Sequence, residues 1–151
     1  MLGRALTLML AGLALPVAAQ GRADGAALYA THCVACHQPE GDGVIGLAPA
    51  IAGTVGKRAA SEDGRQYLAQ VMVAGLSGPI MSQGQRFNGV MPPLSAQPDG
   101  DLAAVMNYVL ERFNASPARL SPELVGAARS RTLSALELRK WREQLISRLG
   151  E

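Results

Sequence analysis

The clearest periodicity in the chain lies near its middle, where apolar side chains fall at Leu102, Val105, Met106, Val109, Leu110 and Phe113. That is the i, i+3, i+4, i+7, i+8, i+11 spacing of one helix face, and Asp99 or Asp101 supplies an acidic start. A second helix is predicted over Gly64 to Ala74, with Leu68, Val71 and Met72 on one face, Asp63 as cap, Gln66 three residues on, and Gly75 at the stop. A third is predicted over "GAALYATHCVAC", residues 25–36, capped by Asp24. Between these stretches the pattern dissolves. Residues 38–58 and 75–100 are rich in glycine and proline and keep no period, so both read as loops. No segment alternates over a useful length, which makes the fold class all-α. Two loops this long are uncommon inside a compact domain, so something other than the chain is expected to fill its middle.

Past Phe113 the composition shifts. "NASPARLSPE" reads as a linker, and two short basic helical stretches follow with a loose echo: Leu120, Ser121, Val125, Arg129 against Leu133, Ser134, Leu138, Arg142. In the second, Leu138, Trp141, Leu145 and Leu149 form a one-sided apolar stripe. The stripe predicts a tail that folds back on the body; a docking arm for a partner protein is the alternative. At the other end, Arg4, an apolar run from Ala5 to Leu15, Pro16, and small Val17, Ala18 and Ala19 have the layout of a secretory signal peptide cleaved after Ala19. The run falls short of the roughly 20 apolar residues of a membrane span; left uncleaved it would be a membrane anchor. The expected organisation is therefore 1–19 signal peptide, 20–114 body and 115–151 basic helical extension, with the protein exported to the periplasm.

Charge and aromatic content narrow the classes. Residues 20–114 carry six Lys/Arg and eight Asp/Glu, whereas residues 115–151 carry seven Lys/Arg and four Asp/Glu. That tail is basic but lacks the dense blocks of a nucleic-acid binder. Outside the signal segment the chain has six aromatic residues (Tyr29, Tyr67, Phe87, Tyr108, Phe113, Trp141), few for a self-sufficient core. Small domains with thin cores recruit a disulfide, a metal or a cofactor. Two cysteines with only two residues between them can staple almost nothing, so a cofactor fits better than a disulfide framework.

Both cysteines and both histidines fall within "THCVACHQPEGDG", residues 31–43. Cys33, Cys36 and His37 form Cys-X-X-Cys-His, which has three chemical readings. A thiol-disulfide redox centre places such a pair at a helix start in a βαβ fold; here the pair ends a helix and no βαβ pattern exists. A zinc site needs four tetrahedral ligands, and no second Cys or His cluster is present. Covalent haem needs two cysteine sulfurs for the porphyrin vinyls and a neighbouring histidine for the iron. One helical turn between Cys33 and Cys36 suits two anchor points on one porphyrin edge, and His37 follows within reach of its centre. One covalent haem c is the expected cofactor.

At this point the sequence resembles the class I c-type cytochromes over roughly residues 22–114: a helix ending in Cys33-Val34-Ala35-Cys36-His37, then "APAIAG", then "NGVMPPL", then the helix "DLAAVMNYVLERF". The resemblance implies a cytochrome c-like helical domain around the haem. It implies thioethers at Cys33 and Cys36, His37 as one axial ligand and Met91, in its Met-Pro context, as the other. It also implies that the Pro49 carbonyl orients His37, and that Tyr29 and Tyr108 meet where two helices cross. The residues agree about Met91: Met72 and Met106 lie on predicted helix faces as core filler, while Pro92 and Pro93 stiffen the backbone after Met91. Met81 is the competitor in the same loop. His32 is expected at the surface, without a ligand role.

A haem with both axial positions filled is suited to outer-sphere one-electron transfer, and methionine ligation raises the potential. The resemblance thus implies an electron-transfer protein rather than an enzyme. "GLSGPIMSQGQRFNGVMPPL" resembles cytochromes serving periplasmic dehydrogenases, so the expected partners are such a dehydrogenase and a terminal oxidase or another cytochrome, in the respiratory chain. The alternatives are a peroxidase-like haem enzyme, for which Arg86 is the one nearby catalytic candidate, and a Cys33/Cys36 thiol-disulfide oxidoreductase.

Overall fold

Asp24 opens the first helix by accepting hydrogen bonds from the backbone N–H of Ala26 (3.0 Å) and Ala27 (3.3 Å). The computed structural model describes residues 23–131 and 133–150, so the expected signal segment lies outside the described residues. α1 (Gly25–His32) stops four residues earlier than its pattern predicts, and the chain resumes as a single turn, α2 (Val34–His37). The break falls at Cys33, whose carbonyl receives the N–H of both Cys36 (3.2 Å) and His37 (2.8 Å). A separate turn is thereby wound around the motif. α3 (Val55–Ala59) has no counterpart in the sequence pattern, because five residues are too few to display a period.

α4 (Glu62–Ala74) is capped by Ser61, whose hydroxyl accepts from Gly64 N–H at 3.0 Å, and not by Asp63. Asp63 is committed elsewhere: it accepts from the Trp141 indole N–H at 2.9 Å and pairs with Arg148. α5 (Asp99–Asn114) follows its predicted stripe, burying Leu102, Val105, Val109 and Leu110. α6 (Pro122–Arg129) and α7 (Ala135–Leu149) build the tail, the latter through a capping box between Ser134 and Glu137.

Residues 75–100 are not all loop. β1 (Leu76–Ser77) pairs antiparallel with β4 (Val90–Met91), placing Leu76 opposite Met91. Between them β2 (Ile80–Ser82) and β3 (Gln85–Phe87) form a hairpin whose turn residues, Gln83 and Gly84, both have positive φ. Two positive φ values in a two-residue turn match the twist of antiparallel strands. Strands this short carry too few residues for a period of two to be visible.

α1 crosses α5, and there Tyr29 meets Tyr108 at 5.7 Å and Phe113 at 5.1 Å between ring centroids. Leu68 and Met72 of α4, Leu110 of α5, Val125 and Ala128 of α6, and Leu138 and Leu145 of α7 belong to one hydrophobic cluster. Trp141 packs edge-on against Tyr67 at 5.7 Å. The apolar stripe of the tail is therefore occupied within the core, and what α7 leaves for a partner is its polar face. Among the described residues no helix is long and apolar enough to cross a membrane.

Candidate functional site

α2, the 47–51 loop, α4, the β1–β4 segment and α5 enclose one apolar cavity. Cys33, Cys36, His37 and Met91 all line it, as do Leu68 and Met72 from α4 and Val105, Met106 and Val109 from α5. Neither cysteine is in a disulfide. His32 reaches the rim but is exposed. Met81 does not line the cavity: it is 51% exposed on β2, beside a separate surface depression. Arg86 lies in that depression as well and does not line the cavity.

His37 is held by the fold. Its Nδ1 lies 3.1 Å from the Pro49 carbonyl oxygen, the geometry of a ring N–H donating to that oxygen. Donation there leaves Nε2 as the unprotonated, electron-pair-bearing nitrogen. Burial pulls the imidazole pKa below its ordinary value, against the opposing effect of the Pro49 bond. The backbone repeats this connection one step on. Gly43 N–H donates to the His37 carbonyl at 3.0 Å, and at φ +71° a Cβ on Gly43 would lie 2.6 Å from the Pro49 carbonyl carbon. Only glycine lets the two segments approach this closely.

Met91 is placed by a similar close approach. Gly75, at φ +73°, ends α4, and a Cβ there would meet the Met91 carbonyl oxygen at 2.6 Å and Pro93 N at 2.8 Å. The bare backbone at Gly75 allows β4 to lie against the end of α4, and Leu94 N–H then donates to Met72 O at 2.8 Å. The methionine-bearing strand is thus pinned on both sides of its two prolines.

Burial, and after it the neighbouring Cys36, pushes the Cys33 thiol up to about 11. A redox-active pair needs the opposite, a thiolate stabilised well below the ordinary cysteine value. The thiol-disulfide reading is chemically disfavoured for that reason. Among the described residues no cluster of His, Cys, Asp and Glu could hold a bare metal ion. Two thiols, one oriented imidazole and a thioether in apolar walls suit a porphyrin instead, which brings four of its own nitrogens to the metal. Two buried arginines, Arg58 and Arg142, also line the cavity. Sequence reasoning misses both, since arginine reads as surface; the available signal is Arg142 falling on the Leu138–Leu145 face.

A family model described as Cytochrome c matches residues 22–112. The chain belongs to the cytochrome c family. It is a class I monohaem member, and its cofactor is one covalently bound haem c. A cytochrome c-552 of Thermus thermophilus is 43% identical over 102 residues, 68% of this cytochrome and 65% of that protein. A second Thermus thermophilus cytochrome c-552 is 43% identical over 88 residues, 58% of this chain and 66% of the relative. The cytochrome therefore matches just under two thirds of the length of these relatives.

Proposed function

We propose that this cytochrome is an exported one-electron carrier of the periplasm, receiving electrons from a dehydrogenase and passing them to a terminal oxidase or another cytochrome. In this reading Cys33 and Cys36 would hold the haem covalently, His37 and Met91 would ligate its iron, and the Pro49 carbonyl fixes the His37 ring. The carrying observation is the convergence of these four side chains on one apolar cavity while Met81 faces elsewhere.

When bound, the haem supplies a one-electron iron couple. The chain's residues set its conditions. The Pro49 hydrogen bond keeps the imidazole oriented and electron-rich. The thioether of Met91 favours the reduced state, and Leu68, Met72, Val105 and Val109 keep water from the walls. With His37 and Met91 both holding the iron, the haem would exchange electrons with a partner without bond making.

Optical spectra of the full haem-loaded protein, oxidised and reduced, test the assignment. The oxidised wild type is expected to show a low-spin spectrum with the weak far-red sulfur-to-iron band. Met91→Ala loses that band and Met81→Ala keeps it; the reverse result removes Met91 as ligand. The export reading predicts a mature N-terminus at Gln20.

A further inference from the structure

Met91 lies in a stretch with little regular structure of its own to hold it. β1 and β4 pair over two residues each, and a two-stranded ladder is marginal even at ordinary length. Gly78 N–H adds one long bond to Gly89 O, at 3.3 Å. Beyond the prolines, Leu94 N–H is held by Met72 O, and residues 95–98 are turn and irregular backbone. A side chain that must stay at one metal needs the backbone beneath it fixed.

Both ends of the stretch are reached by half-buried arginines of the tail. Upstream, Arg139 of α7 donates Nη1 to the Ser77 carbonyl. A Cβ on the adjacent Gly78, at φ +89°, would lie 2.6 Å from Nη1 and 3.0 Å from Cζ, so the guanidinium fills the space a side chain there would take. Downstream, Arg129 of α6 donates to the Ser95 and Gln97 carbonyls and to the Asp99 carboxylate. Arg129 is itself steadied: the buried Gln70 amide of α4 donates to Ala128 O at 2.7 Å and to Arg131 O at 3.2 Å, on either side of it. A guanidinium presents five N–H donors in a rigid plane, which suits it to tie several fixed oxygens at once.

We propose that Arg129 and Arg139 are positioning residues for Met91: the tail grips the methionine-bearing stretch at its two ends and keeps the thioether at the iron. Part of the basic charge of the tail is thereby spent on the chain's own carbonyls.

This role rests on Met91 being the axial ligand, and the test separates the two. Full-length, haem-loaded, oxidised Arg129→Gln, Arg139→Gln, their double variant and Arg148→Gln are titrated with imidazole, a small external ligand that takes the place Met91 vacates, while the far-red band is followed. Arg148 is on the same helix as Arg139 but pairs with Asp63, outside the stretch, and controls for loss of a tail arginine as such. Each of Arg129→Gln and Arg139→Gln is expected to bind imidazole about tenfold more tightly, the scale of one lost hydrogen bond from a charged group, and the double variant more tightly than either. Arg148→Gln stays within about twofold of wild type. The titrations are run far from unfolding, where a loss of global stability alone leaves imidazole affinity unmoved. Wild-type affinity in either single variant overturns the two-ended grip, as does an equal gain in Arg148→Gln. Should a variant fail to load haem, hydrogen exchange of the wild type decides: the Gly78 and Leu94 amides are expected to exchange in the same opening as those of α6 and α7, and protection that outlasts the opening of the tail overturns the proposal. A far-red band that survives Met91→Ala would instead remove the ligand assignment, and this role with it.

Discussion

Leu138→Ala asks whether α7 belongs to the cooperative unit that holds the haem. Leu138 is 1% exposed and lies in the same cluster as Leu68, Met72 and Leu110. Truncating a buried leucine costs about 2–5 kcal/mol, the spread reflecting how far the surroundings collapse. α7 is a surface helix covering the core from one side, free to settle inward, which places the cost near the lower end, about 2–3 kcal/mol. Against a typical total of about 5–15 kcal/mol that is a large fraction. The assay is guanidinium unfolding of the haem-loaded protein, followed in parallel by far-ultraviolet dichroism and haem absorbance. Both signals are expected to shift to a lower midpoint together, with the slope unchanged. Leu136→Ala, two residues away and 52% exposed, is the control and should change stability by no more than about 0.5 kcal/mol. If Leu138→Ala behaves like Leu136→Ala, or if its haem transition stays at the wild-type midpoint, the tail is not part of the core.

Two further outcomes follow from particular contacts. Gly75→Ala forces a Cβ against the Met91 carbonyl oxygen and Pro93 N at a positive φ; a loss of about 1–3 kcal/mol and a weakened far-red band are expected, and a band and melting temperature equal to wild type would refute the role given to that close approach. Glu137 sits in the α7 capping box, where hydrogen bonds to Ser134 hold its carboxyl below the ordinary value of 4.5. A depressed folded value means its contribution is present above that pH and lost as pH falls through the folded value. Glu137→Gln should therefore lower the unfolding midpoint at pH 6 and lose that difference at pH 3; a gap of equal size at both would contradict the assignment.

The helices that position the site were legible because their apolar residues repeat. α5 needed nothing beyond Leu102, Val105, Val109 and Leu110, and the motif at residues 33–37 identified its own cofactor chemistry. What stayed hidden depends on contacts between distant segments. Ser61 and Asp63 are both good caps by composition, and the choice between them is made by Trp141 and Arg148, far along the chain. β1 to β4 are too short for periodicity, yet they decide that Met91 and not Met81 turns inward. Arg142 breaks an apolar stripe in the sequence, and only the folded arrangement gives that interruption a site to face.

The cavity draws its wall from both ends of the described chain: Cys33 stands where the second helix begins and Arg142 in the last. Synthesis runs from the N-terminus, so the cysteines and His37 emerge well before the helix that closes over them. During that interval the cavity lacks Arg142, which α7 alone adds to its lining. A message truncated before Ser134 yields a product that carries Cys33, Cys36, His37 and Met91 yet lacks Leu138, Trp141 and Leu145, leaving the core they cover facing water. Proteases and self-association act on such surfaces, so loss of the tail is felt as scarcity of the protein.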